Sequence, residues 1–246
     1  MSYFNNISEP CLATELHPHG LTSHKIKSED KLKKVWKKAR VKGTKTILLE
    51  EEVKGWQVCV AVVGEEALAS LAVEPVSIKG DGVSSIARLI ETKNDHRAQN
   101  PWYANKLLTV DKQLLKSLKA AGYHLDDVPA EGKKIYLETV RGIELVGETI
   151  GINGLLHEDF KNRAVQAVSA IPGLEYAVVH MIIPCPDRPE TGQRWVVKKI
   201  DTSPDAAMFQ YPWKGEPYNL ARKVVEELCL KGRTKWIEEK GEKEFS

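Results

Sequence analysis

Apolar residues recur at helical spacing in several parts of the chain. After Ser28, whose hydroxyl can cap a helix, apolar positions 32, 35, 36 and 39 repeat with the helical period, and lysines occupy the opposite face. The same spacing predicts further helices around residues 86–90, 114–121, 160–171 and 220–228. Short β-rich runs predict strands at residues 46–50, 56–63, 67–73, 134–140, 176–183 and 195–200. Hairpin-like strands followed by helices are typical of an α+β fold with a mostly antiparallel sheet and flanking helices.

The composition is that of an ordinary globular protein. The 246 residues suffice for one large domain or two small ones, and 42% of them are hydrophobic. The net charge of +2 is the small difference between 36 basic and 34 acidic residues, which gives no general case for binding nucleic acid or an anionic membrane. The lysine-rich face of the first predicted helix could contact an anion, but a solvated helix face is the preferred interpretation.

Nothing in the chain predicts a membrane or an oxidising environment. No apolar run approaches the roughly eighteen residues of a membrane span. The N-terminal segment has neither the basic region nor the apolar core of a signal peptide. The cysteines lie far apart and form no CxxC pair, namely Cys11, Cys59, Cys185 and Cys229. We therefore expect a reduced, cytoplasmic protein.

Three collinear segments carry a resemblance to a known family. Residues 74–86 (EPVSIKGDGVSSI), with the later pairs Leu89-Ile90 and Lys93-Asn94, are similar to the segment P-A-x-V-x-G-D-G-x-x-T-I-x-x-L-I-x-x-x-N. Residues 125–137 are similar to L-x-S-V-P-x-x-G-x-x-Y-L-R, and residues 201–217 to N-x-x-P followed by Y-P-x-x-G-x-P-R. These segments occur in ATP-grasp ligases of the cyanophycin synthetase and bifunctional glutathione synthetase type. The chain therefore resembles the C-terminal part of their ATP-grasp module.

The resemblance implies a fold in which two lobes clamp ATP. Such enzymes phosphorylate a carboxylate, and an amine or thiol then attacks the acyl phosphate. The chemistry requires cations on the phosphates and oxygen ligands for magnesium. The matched positions imply a partial small lobe at residues 1–55, without its first half, and a large lobe at residues 56–246.

The hinge that would bind the nucleoside is partly retained. Glu50, Glu51 and Val53 resemble the hinge segment V-E-E-x-V-x-G-x-E. The acid that would hold the ribose falls on Gln57, whose amide can still form hydrogen bonds to hydroxyl groups. An acidic hairpin edge facing water is an equally good interpretation of the segment.

The phosphate and metal positions are altered further. The phosphate lysine falls on Thr14, which supplies no cation, and an arginine falls on Glu138, which reverses the charge. The metal-binding aspartate falls on His180, and the acid–asparagine pair falls on Lys199 and Asp201. Magnesium prefers hard oxygen ligands and is repelled by an ammonium, so Asp201 alone remains suitable. Glu138 and Lys199 are consistent with an exchanged ion pair, and His180 either lines the cleft or satisfies a hydrogen bond in the core.

A histidine-rich segment offers a rival site. His17, His19 and His24 lie within eight residues, and three histidines could bind zinc or copper. Pro18 and Gly20 between them predict an irregular loop. A solvent-facing loop without a bound metal is the preferred interpretation.

The altered positions predict a degenerate ATP-grasp protein, a pseudo-ligase that binds a partner or ligand and whose cofactors are unknown. The alternative is an active ATP-dependent carboxylate–amine ligase that forms an amide or peptide bond and uses ATP and magnesium. A new activity, such as hydrolysis around His180 and Asp201, is a third and weaker interpretation. With half of the small lobe absent, the strands near Leu12 and Ile47 lack neighbours, so we expect a homo-oligomer or a protein partner.

Overall fold

The chain divides into two compact units. The computed structural model describes residues 11–17, 20–41, 43–44, 46–137 and 147–230. The division lies between Lys54 and Gly55, one residue from the boundary expected from the sequence. That the two units correspond to the small and large lobes of an ATP-grasp ligase stays a prediction.

The first unit contains a three-stranded antiparallel sheet and one helix. Its strands are β1 (Cys11–His17), β2 (Gly20–Ile26) and β3 (Ile47–Glu51), and they pair in the order β2-β1-β3. Helix α1 (Glu29–Val41) begins after Ser28, whose Oγ accepts a hydrogen bond from the Lys31 N–H at 3.3 Å. The core of the unit is formed by Ala13, Ile26, Leu32 and Val35. The helix and its cap were therefore predicted correctly.

The described part of the histidine-rich segment lies in two paired strands rather than in the irregular loop that its proline and glycine predicted. Strands β1 and β2 pair up to His17↔Gly20. His24 pairs with Ala13 and thus lies four register positions from His17. That separation corresponds to about 13 Å along a strand. His19 lies outside the described residues.

The strand that contains Leu12 is the central strand of this sheet. It pairs with β2 on one side and with β3 on the other. The expectation that this strand lacks neighbours was therefore wrong, because β2, which the sequence pattern did not predict, covers one side of it. Ile47 lies in β3, which is an edge strand within the described part of the chain. The adjacent Leu48 is 46% exposed.

A five-stranded antiparallel sheet forms the centre of the second unit. Its strands are β4 (Trp56–Val63), β5 (Glu66–Glu74), β8 (Glu148–Gly151), β9 (Tyr176–Ile183) and β10 (Val196–Asp201). They lie in the order β10-β9-β4-β5-β8. A separate two-stranded antiparallel ladder joins β6 (Ser77–Lys79) and β7 (Lys134–Tyr136).

Helices flank both sheets of the second unit. They are α2 (Ile86–Gln99), α3 (Lys112–Ala120), α4 (Glu158–Ser169), α5 (Ala207–Gln210) and α6 (Leu220–Val224), which continues as a π-helical segment, Val225–Leu230. The predicted α+β architecture with a mostly antiparallel sheet is confirmed. Of the helices within the described ranges, none has the length and apolar character needed to cross a bilayer.

Both faces of the five-stranded sheet are covered, which explains the uninterrupted apolar run of β4. Successive residues of a strand point to opposite faces. One set packs beneath α4 in a core that includes Val60 and Phe160. The other set packs against α5 and α6 in a core that includes Ala61, Phe209 and Leu220. The central strands are therefore apolar on both sides.

The Gly-Asp-Gly segment is a turn that leads into α2. Asp81 Oδ1 accepts hydrogen bonds from the N–H groups of Val83 at 2.9 Å and Ser84 at 2.7 Å. These bonds, chiefly the one from the Ser84 backbone, lower the pKa of Asp81 to about 2. Ser85 Oγ then caps α2 by accepting a hydrogen bond from the Arg88 N–H at 3.3 Å. The hydrogen bonds of the turn and of the helix cap therefore explain why this segment contains the residues that resemble the family motif.

Candidate functional site

One face of the five-stranded sheet carries the polar residues that the sequence singled out. Cross-strand pairing places Lys199, His180 and Cys59 side by side on β10, β9 and β4. Residues two positions apart on a strand share a face. Gln57 therefore lies on the same face as Cys59, and Asp201 lies on the same face as Lys199.

A pocket of about 380 Å³ lies beside Gln57 at one end of this face. Its walls include two aromatic residues, Trp56 and Tyr136, which are 44% and 52% exposed. A Cβ at Gly55 would lie 2.5 Å from the carbonyl carbon of Ile183, so this position of the predicted hinge requires glycine. The remaining lining residues are Val73, Glu74, Pro75, Ile182 and Pro184.

Glu74 gives the pocket wall its negative charge. Its Oε2 lies 3.1 Å from Lys134 Nζ, and that ammonium lies 4.9 Å from the centroid of the Tyr136 ring. Burial acts to lower the pKa of Lys134, but the hydrogen bond from Nζ to Glu74 and the charge of Glu74 raise it overall. The ammonium therefore stabilises the carboxylate at the pocket wall.

His180 contacts a buried cysteine while part of its ring remains accessible. Its Nδ1 lies 3.4 Å from Cys59 Sγ, and Cys59 is 1% exposed. The sequence left open whether His180 lines a cleft or satisfies a hydrogen bond in the core. His180 is half-buried, so it makes the core contact and also keeps part of its surface accessible to solvent.

Lys199 and Asp201 form an ion pair on β10. The distance from Lys199 Nζ to Asp201 Oδ2 is 3.0 Å, and Asp201 Oδ1 accepts a hydrogen bond from the Ser203 N–H at 3.2 Å. The hydrogen bond from Lys199 is the main cause that lowers the pKa of Asp201, and burial opposes it. This donor set does not fit magnesium, because the ion takes oxygen ligands and the carboxylate is already paired with an ammonium. Within the described ranges, no three His, Cys, Asp or Glu side chains are grouped as they are in a metal site.

Four of the predicted nucleotide-binding residues belong to the first unit. Thr14 lies in β1 opposite Leu48, and Glu50 and Glu51 lie two and three positions beyond Leu48 on β3. Val53 follows the end of that strand. Both glutamates are exposed, which also agrees with the alternative of an acidic strand edge facing water.

The other two predicted nucleotide-binding residues have different outcomes. Gln57 belongs to the second unit and lines the pocket. Glu138 lies outside the described residues, so its contact with Lys199 stays a prediction. The assembly of all these positions into one nucleotide site also stays a prediction.

A buried polar cluster links segments that the resemblance marked only as motifs. Arg97 on α2 is fully buried, and its guanidinium carbon lies 4.5 Å from the centroid of the Tyr103 ring. Lys93, one turn earlier, lies 2.5 Å from Glu148 Oε1 on β8 and 4.8 Å from the centroid of the Trp213 ring. Burial is the main cause that lowers the pKa of Lys93, and the charge of Glu148 opposes it.

The same cluster fixes the segment that resembles the closing motif. The Tyr103 hydroxyl lies 3.0 Å from Thr149 Oγ1, and the backbone N–H of Trp213 donates to the Thr149 carbonyl at 2.9 Å. Asn100 Nδ2 donates to the Tyr211 carbonyl at 3.2 Å. Sequence reasoning missed this cluster because its members come from distant parts of the chain. The available signal was a pair of basic residues one turn apart within an otherwise amphipathic helix.

The chain resembles ATP-grasp ligases in sequence. It is 29% identical over 188 residues to the glutathione biosynthesis bifunctional protein GshAB of Pasteurella multocida, which covers 75% of this chain and 25% of that protein. It is 26% identical over 187 residues to the cyanophycin synthetase of Geminocystis herdmanii, which covers 75% of this chain and 21% of that protein. The chain thus spans a quarter or less of the length of these relatives. No protein-family model matches the chain.

The fold agrees with the sequence resemblance. The chain aligns with the crystal structure of a bifunctional glutathione synthetase from Pasteurella multocida with a TM-score of 0.69 and 24% identity. The alignment covers 94% of this chain and 32% of that chain. The predicted resemblance to the ATP-grasp superfamily is confirmed, and so is the predicted fold class.

Proposed function

Because the chain has an ATP-grasp-like fold, we propose that it is a degenerate ATP-grasp protein that binds a ligand or a protein partner without catalysing ligation. The observation that supports this function is the ion pair between Lys199 and Asp201. By the resemblance, Lys199 and Asp201 occupy the positions at which ATP-grasp ligases have an acid and an asparagine that hold magnesium.

The ammonium beside Asp201 opposes magnesium in two ways. The carboxylate already accepts hydrogen bonds from Lys199 Nζ at 3.0 Å and from the Ser203 N–H at 3.2 Å. A divalent cation would have to displace the ammonium and then remain close to its positive charge. Phosphoryl transfer depends on metal ions that neutralise the phosphates, so this replacement would prevent formation of an acyl phosphate.

The pocket beside Gln57 supports the ligand-binding part of the proposal. Its volume of about 380 Å³ lies within the range of small-molecule sites, roughly 300–1,000 Å³. The walls combine apolar and aromatic side chains with one amide and one carboxylate. The pocket lies on the same face of the sheet as Lys199 and Asp201, the altered metal-binding positions. A pocket on the same face as replaced magnesium ligands favours ligand binding over catalysis.

Isothermal titration calorimetry with Mg-ATP tests the proposal. We expect no saturable binding at millimolar ATP, because Thr14, Glu138 and Lys199 occupy positions where the family uses opposite or different charges. The control is a parallel titration of ATP with excess EDTA, which separates magnesium-dependent heat from heat of dilution. A micromolar dissociation constant for Mg-ATP would contradict the proposal.

The alternative function is an active ATP-dependent carboxylate–amine ligase. The retained amide of Gln57 in the pocket favours it, since this group can form hydrogen bonds to a ribose. An acyl phosphate is trapped by hydroxylamine as a hydroxamate. Hydroxamate and ADP formation with a panel of carboxylic acids would establish the ligase, and a folded protein that yields neither supports the degenerate function.

A further inference from the structure

The pocket of the second unit has the charge and surface of a cation site. Among the described residues that line it, Glu74 is the one Asp, Glu, Lys, Arg or His residue. Trp56 and Tyr136 line the same pocket and expose about half of their surfaces. A carboxylate and aromatic ring faces both attract an organic cation, the rings through their quadrupoles.

Lys134, which is not one of the residues that line the pocket, supplies a cation to two residues that do, Glu74 and Tyr136. Its Nζ lies 3.1 Å from Glu74 Oε2 and 4.9 Å from the Tyr136 ring centroid, within the roughly 6 Å over which a ring attracts an ammonium. The Lys134 side chain is 39% exposed, and it extends from the short β6–β7 ladder rather than from the core. Its ammonium can therefore be removed without opening a buried cavity.

We propose that the pocket binds a small organic ammonium ion, and that the side chain of Lys134 occupies the cation position when this ligand is absent. The site deepens the proposed function, since it names the ligand class of a binding protein. Gln57 and Glu74 both offer hydrogen-bond acceptors, so an ammonium with N–H donors suits the pocket better than a quaternary one. The negative wall disfavours anionic ligands.

Titration with n-butylammonium chloride tests the site directly, because this ion has the structure of a lysine side chain. Binding is followed by NMR on the indole N–H resonance of Trp56, assigned with the variant Trp56→Phe. In the native protein Lys134 competes with the added ion, so we expect weak binding. The variant Lys134→Ala should bind n-butylammonium at least tenfold more tightly, and adding Glu74→Gln to it should abolish the gain.

Two controls separate a cation site from general effects of charge or hydrophobicity. Lys79 pairs with Lys134 across the β6–β7 ladder, so Lys79→Ala removes a nearby positive charge without vacating the cation position. Butan-1-ol is the neutral analogue of the ligand. Equal affinity in Lys134→Ala and Lys79→Ala, or equal shifts with butan-1-ol, would overturn the proposal.

Separate outcomes distinguish failure of the ammonium site from unfolding of a variant and from failure of the proposed function. If Lys134→Ala loses its dispersed spectrum, Lys134→Met, which keeps most of the apolar stem, decides the question by the same tenfold criterion. Micromolar Mg-ATP binding overturns the degenerate function whatever the ammonium titration gives. Absence of ammonium binding in a protein that also fails to bind Mg-ATP overturns the ammonium site alone.

Discussion

Glu74 and Glu148 lie directly opposite each other on β5 and β8, and each carboxylate is paired with a different lysine. Like charges in this cross-strand position repel each other, and each lysine offsets part of that repulsion. The two ion pairs differ in exposure. The side chains of Glu148 and Lys93 are 3% and 12% exposed, whereas those of Glu74 and Lys134 are 17% and 39% exposed. We therefore expect the Lys93 pair to contribute more to stability.

Lys93→Met should lower the free energy of unfolding by about 3 kcal/mol, because it leaves Glu148 buried and without its ion-pair partner. Lys134→Met, the control for removing an exposed partner, should cost less than about 1 kcal/mol. Urea unfolding followed by circular dichroism measures both. The double change Lys93→Met with Glu148→Leu should recover most of the loss, since an apolar pair needs no compensation. Equal losses in the two single variants would contradict the assignment.

Asp81→Asn should destabilise the protein at neutral pH, because a neutral amide accepts the turn hydrogen bonds less strongly than a carboxylate. The folded-state pKa of Asp81 is about 2, below its ordinary value of 3.8. A lowered pKa means that the charged form stabilises the fold above pH 4 and that this contribution is lost as the pH falls toward 2. Thermal melting at pH 7, 4 and 2.5 should show the difference from the native protein shrinking over this window. Asp95→Asn, an exposed aspartate on α2, is the control, and a difference that does not depend on pH would count against the turn.

The elements with the strongest local pattern were predicted from the sequence. The bounds of β4 and β9 match the expected residues 56–63 and 176–183, because both strands are buried on two faces and read as long apolar runs. Strands β2, β6 and β8 were missed. They are held by pairing with β1, β7 and β5 and carry few apolar residues of their own, so their identity depends on partners that a local pattern does not reveal.

The residues of the candidate site also include some that the sequence indicated and some that it did not. The resemblance directed attention to Gln57, His180 and Asp201, and the structure places all three on one face of one sheet. The ion pair of Lys93 with Glu148 was not predicted, because neither residue belongs to a local pattern that specifies its partner. Residues at motif positions could therefore be identified from the sequence. Buried contacts between distant residues could be identified only from the structure.

We expect the protein to form a homo-oligomer or to bind a protein partner through β3. This strand lies at the edge of the described sheet of the first unit, and Leu48 on it is 46% exposed. Size-exclusion chromatography with light scattering should give a mass above the 27.6 kDa of one chain, and Leu48→Lys should reduce it. Val41→Lys, at an 84% exposed position on α1, should leave the mass unchanged. A monodisperse monomer at high concentration in the native protein would exclude the homo-oligomer.

Lys199→Glu should create affinity for a divalent cation where the native protein has little. The change removes the ammonium that lies 3.0 Å from Asp201 and places a second carboxylate two residues from it on the same face of β10. Two carboxylates supply hard oxygen ligands of the kind that magnesium and manganese prefer. Electron paramagnetic resonance of free Mn²⁺ measures the binding, and we expect at least a tenfold lower dissociation constant than in the native protein.

The controls for this last experiment test position as well as charge. Lys112→Glu, at an exposed site on α3, makes the same change in net charge and should not create the site. Lys198→Glu places the acid at the extra residue of the β-bulge between Val197 and Lys199. Gain of binding at Lys198 but not at Lys199 would mean that the match of β10 to the metal-binding strand is shifted by one residue. Equal gain with Lys112→Glu would show that Mn²⁺ responds to net charge alone, and the interpretation of Lys199 as the residue that opposes magnesium would then fail.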